Sequence, residues 1–102
     1  MSMLHIVNKS PYERNSLTAA VGHMTDGDTL LLIEDGVYGA LSGSAVTEAV
    51  QASAADVSIH VLDGDVKARG LDAGKLLGEV TAVGYDGFVD LVAGHDRTQA
   101  WL

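Results

Sequence analysis

The residues of this sequence able to do chemistry are four histidines, a Lys9-Ser10 pair after the first apolar run and a Glu34-Asp35 pair after the second. His5, His23, His60 and His95 stand apart, with no His-x-x-x-His or His-x-Asp spacing, so no metal site is expected. His5 and His60 lie inside apolar runs and read as hydrogen-bonded strand residues rather than catalytic bases. His23 and His95 fall near helix ends, where the helix dipole favours them. An anion or ligand site built from His5, Lys9, Ser10, Glu34 and Asp35 is the weak chemical alternative. Helix capping alone accounts for Ser10, and turn formation accounts for the two carboxylates. The sequence contains no cysteine, which excludes thiol nucleophiles, persulfide carriage by this chain, thiolate metal sites and disulfides. Catalytic, cofactor and metal residues are therefore expected to be none. Recognition has better candidates: Tyr38, and an ending in Trp101 and Leu102 that reads as tied down against the sheet or a partner.

The elements that must position these residues alternate in type. Leu4 to Val7 reads as a strand, and Ser10-Pro11-Tyr12-Glu13 carries the signs of a helix start. Leu17, Ala20, Val21 and Met24 then recur at the spacing of one buried helical face. Thr29 to Ile33 is apolar on both alternating sides, as in a central strand covered on both faces. Residues 37–41 make about one helical turn, and a helix of small residues is expected over Ala45–Ala52. Val57–Leu62 is a third strand, Asp63 a cap for the short segment 65–69, and Gly70 a left-handed stop. Residues 71–78 are a weakly patterned connection. Val80–Val83 is a fourth strand, and Asp86 is expected to cap a helix with Phe88, Leu91 and Val92 on one face. Residues 99–102 close the chain.

Strand and helix in alternation predict one α/β domain over residues 1–102, three-layered, with a mostly parallel sheet of four or five strands. Fourteen acidic against six scattered basic residues give a net charge of −8, which argues against direct nucleic-acid binding. No run approaches the roughly 18 apolar residues of a membrane span, and nothing at the start reads as a secretory signal, so a cytoplasmic protein is expected.

In this order the motifs resemble those of the TusB/DsrH family of sulfur-relay subunits. The resemblance rests on Leu4-His5 followed by Lys9-Ser10-Pro11, on Leu31 through Val37, on Lys67-Ala68-Arg69-Gly70-Leu71, on Tyr85 through Leu91, and on Gln99-Ala100-Trp101-Leu102. The stretches Ile33–Tyr38 and Tyr85–Leu91 look closer to the DsrH branch of sulfur oxidation than to the TusB branch of tRNA thiolation. What the resemblance implies is a DsrE-like fold and a non-catalytic place in a heterohexamer with homologous DsrE/TusD-like and DsrF/TusC-like subunits. Such a complex passes persulfide sulfur to a DsrC/TusE-type carrier. Some DsrH members have a cysteine in the first helix, and residues 17–24 of this chain have none. The alternatives are a subunit of the tRNA 2-thiouridine relay and, from another class, a small stand-alone enzyme or ligand-binding domain.

Overall fold

A computed structural model describes residues 2–101. Five strands, β1 (Met3–Val7), β2 (Thr29–Leu32), β3 (Ser58–Leu62), β4 (Val80–Val83) and β5 (Arg97–Trp101), form one sheet in the order β4-β3-β2-β1-β5. Every pairing is parallel. The fully buried Thr29-Leu30-Leu31-Leu32 occupies the middle of that order, as its apolar character on both sides requires.

Topology divides the helices unequally. From β1 to β4 the chain steps across the sheet in one direction. Right-handed crossovers therefore leave α1 (Ser16–His23), α2 (Thr47–Ser53) and α3 (Asp63–Ala68) on one face. The last connection runs back from β4 to β5 on the far side of β1, which puts α4 (Tyr85–Gly94) alone on the other face. On the first face, Val7, Leu30, Leu32, Ile59 and Val61 share a core with Leu17, Ala20, Val37, Val50 and Val66. Each valine, leucine or isoleucine among them contributes about 1.5 to 3 kcal/mol by leaving water.

Between β2 and α2 the chain winds into a seven-residue 3-10 helix, Glu34–Ala40. Gly36 is required there, because a Cβ would collide with the carbonyl of Val7. That close approach lets the Ile33 N–H donate to the same carbonyl at 3.0 Å. Gly70, with φ of +65°, follows α3 as the left-handed stop the sequence predicts.

Several boundaries differ from expectation. The signals at Ser10 fold a turn instead of starting α1: the Ser10 carbonyl accepts from Glu13 and Arg14 N–H, its Oγ accepts from Tyr12 N–H, and the helix begins at Ser16. Side-chain capping of this kind also serves isolated turns. Helix α2 starts at Thr47, two residues after the expected Ala45, where Ser44 and Thr47 bond one another. Gly84, not Asp86, holds the position before α4, and Asp63 is the first residue of α3 rather than its cap. Within residues 71–78 a short 3-10 turn, Ala73–Lys75, forms with Asp72 Oδ1 accepting from Gly74 N–H at 2.8 Å. Residues 99–101 of the closing segment belong to strand β5, which begins at Arg97, and Leu102 lies outside the described residues.

Candidate functional site

The five residues weighed as a ligand site are divided by the structure. Ser10, Glu34 and Asp35 lie beyond the carboxyl ends of β1 and β2. Ser10, Tyr12, Glu13, Asp35 and Tyr38 line a shallow cleft there, with Tyr38 half-buried. Its two carboxylates repel an anion. The guanidinium beside Asp35 is already engaged: Arg69 Nε donates to Asp35 Oδ1 at 2.9 Å, and its Nη1 donates to the Asp65 carbonyl at 3.3 Å. Asp65 Oδ2 in turn accepts from Glu34 N–H at 2.6 Å. Glu34 takes a φ of +48°, uncommon for a residue with a side chain, and that hydrogen bond helps to hold it there. The two neighbours are thus used differently: Asp35 engages Arg69 through its carboxylate, whereas Glu34 engages Asp65 through its backbone N–H. Lys9, half-buried, remains the cation beside Ser10.

His5 belongs to a different constellation. Its ring is 2 % exposed and turned toward Asp28, just ahead of β2 at the opposite end of the sheet. Trp101 Nε1–H, which can only donate, reaches His5 Nδ1 at 3.1 Å. The histidine proton therefore sits on Nε2 and is given to Asp28 Oδ2 at 2.9 Å. Asp28 also accepts from the N–H groups of Met3 and Thr25, each at 3.0 Å. Burial pushes the Asp28 carboxyl up, but the hydrogen bonds from Thr25, His5 and Met3 outweigh it and hold the group below its ordinary value. Stacked on His5 and tilted against His23, Trp101 fastens β5 to β1 and α1. The arrangement is a brace with no free nitrogen on His5. Both ring nitrogens of the histidine are used.

The remaining histidines divide by partner. His23 Nδ1 donates to the Ala19 carbonyl in the last turn of α1. His95 Nδ1 donates to the Leu91 carbonyl at the end of α4, and its Nε2 shares a hydrogen bond with Thr29 Oγ1 at 2.7 Å. His60 departs from the hydrogen-bonded strand residue expected: its Nδ1 is buried without a partner. Burial first, and then the charge of His95, keep its pKa below the ordinary value. Among the described residues no three His, Asp or Glu side chains converge to hold a metal ion. The brace joining Trp101, His5 and Asp28 was not readable in the sequence, because it joins positions 96 and 23 residues apart through the sheet register.

Comparison with known proteins supplies what this geometry lacks. Residues 9–98 match the family model described as DsrH like protein. Over 99 residues, 97% of this chain and 100% of the relative, the sequence is 39% identical to Protein TusB of Erwinia tasmaniensis. Protein TusB of Klebsiella pneumoniae is likewise 39% identical over the same share, and that of Shigella flexneri 33%. Among solved structures, a protein of unknown function from Methanobacterium thermoautotrophicum superposes with a TM-score of 0.76, covering 96% of each chain at 15% identity. The ychN protein from E. coli gives 0.75 over 98% of this chain and 99% of its own, at 18% identity. These two share the fold.

Proposed function

The chain belongs to the DsrH-like family of sulfur-relay subunits, and from that premise we propose that it is a non-catalytic docking subunit of a cytoplasmic sulfur-transfer complex. One observation carries this reading: a chain similar over its full length to TusB proteins has no thiol at all. Persulfide sulfur forms and moves on thiolates, so the covalent steps belong to partner chains. Those partners are homologous TusD/DsrE-like and TusC/DsrF-like subunits, with a TusE/DsrC-like protein as acceptor. The locked His5 and the engaged Arg69 favour this role over a stand-alone enzyme or ligand-binding domain.

Within the family, the curated relatives named TusB favour the tRNA 2-thiouridine relay over the sulfur-oxidation branch toward which residues 33–38 and 85–91 lean. The match to the DsrH model keeps sulfur oxidation as the second reading. Deleting the gene and quantifying 2-thiouridine in tRNA hydrolysates by mass spectrometry tests the choice. Loss of the thiolated nucleoside is expected. Unchanged 2-thiouridine with impaired sulfur oxidation would move the chain to the other branch, and no change in either would contradict the relay role.

A further inference from the structure

Helix α4 is apolar in two directions. Phe88 and Leu91 are half-buried, whereas Tyr85 is 73 % exposed, Val89 50 % and Val92 41 %. Not one residue of α4 is fully buried. Tyr85 and Phe88 meet edge to face at 6.0 Å, and with Val89, Val92 and Ala93 they line a shallow apolar hollow on the outer side of the helix. A helix with apolar residues both inward and outward is one that a further layer covers. The sheet beside it carries no charge to oppose this. By register, Ser58, Thr81, Thr98 and Ala100 share the α4 side, and all four are exposed. His60, on the same side, is kept neutral at pH 7.

Charge restricts what can cover this face. Between Lys75 and Arg97 the sequence has no lysine or arginine, while Asp86 and Asp90 flank the apolar stripe and Glu79 and Asp96 lie at its ends. A second copy of this chain would set these carboxylates against one another. An apolar surface with a lysine or arginine rim would be matched. A ten-residue helix is only about 15 Å long, so a stable contact of about 800 Å² per partner must spread onto the uncharged sheet margin as well.

We propose that α4 and the sheet margin beside it form the face on which one homologous subunit docks, and that this subunit presents an apolar surface rimmed by basic side chains. The assignment rests on the relay-subunit reading above. Sequence similarity alone does not choose the face.

The test co-expresses this full chain with its two homologous subunits and measures complex size and affinity. Val89→Glu with Val92→Glu should weaken association by roughly 30-fold or more, the loss expected at the centre of an interface. The circular dichroism of the isolated chain should not change, because both side chains are exposed. Asp86→Lys with Asp90→Lys retains the apolar stripe and should weaken association roughly tenfold, with a smaller salt dependence than wild type. Undiminished assembly by the valine pair would overturn the face, and undiminished assembly by the aspartate pair would overturn the basic rim. Wild-type chain that pairs with itself through α4 would overturn the choice of occupant. Failure of the wild-type chain to join either subunit would instead overturn the relay reading, and the docking face with it.

Discussion

On one side of the sheet, Leu30, Leu32, Ile59 and Val61 are sealed beneath α1, α2 and α3, and the Trp101–His5–Asp28 chain of hydrogen bonds ties the edge strand β5 into the same layer. On the other side, Leu4 and Leu31 are buried but the single helix above them has no fully buried residue and turns Tyr85, Val89 and Val92 to solvent. The two faces are made from the same strands, alternating residue by residue. Crossover direction separates them: three connections step one way and one steps back. A parallel sheet needs cover on both faces. In this chain the first face supplies the stability of the fold, and the proposal above has the second completed by assembly.

Breaking the first face should have the largest effect. Asp28→Ala would strand the Met3 and Thr25 N–H groups and the His5 Nε2–H in a buried position, at a cost of about 3 kcal/mol or more, read as a lower midpoint in urea. Trp101→Ala removes a half-buried ring and the donor to His5, and about 2 to 3 kcal/mol of stability should go with it. A loss below about 0.5 kcal/mol in either variant would show that the brace is not what holds β5.

Acid should distinguish the faces by the pH at which each responds. The Asp28 pKa is lowered below 3.8 on folding, so its contribution is complete above that pH and is lost as pH falls through the folded value. For His60 the folded pKa is below 6.5, so the unfolded chain takes up a proton that the folded chain refuses. Stability should therefore be full above pH 6.5 and decline as pH falls through the folded value of His60. Melting temperatures measured from pH 7.5 to 5 should show this decline, and His60→Gln should abolish it while leaving the Asp28 step at lower pH. A decline of the same size in the variant would assign the effect elsewhere. The smallest effect on stability belongs to Val89→Glu with Val92→Glu, within about 0.5 kcal/mol per substitution in the isolated chain.

The positions of β1 to β4 are legible because their cause is local, whereas β5 reads only as a closing segment. The apolar run at residues 29–33 has nowhere to go but the centre of a sheet, and β2 is the central strand. The alternating strand and helix pattern likewise gave the layers. Ser10, Pro11 and Glu13 misled because a capping side chain satisfies the N–H groups of a turn as readily as those of a helix. The sequence puts Val92 on one face with Phe88 and Leu91, and the structure leaves it exposed while those two are half-buried. Periodicity finds apolar residues, and it does not say whether the second apolar direction is filled by this chain or another. The cleft beyond β1 and β2 was foreseeable from the strand ends, whereas Arg69 reaching Asp35 across 34 residues, and Trp101 reaching His5 across 96, depend on crossovers and register.

Hydrogen exchange of the full chain, alone and in complex with its homologous subunits, tests the contrast between the faces most directly. In the isolated chain the amides of α4, residues 85–94, should exchange fast while those of β1, β2 and β3 exchange slowly. On assembly, α4 should become strongly protected and the central strands should change little. Protection of α4 equal to that of β2 in the isolated chain, or no gain in α4 on assembly, would contradict the account.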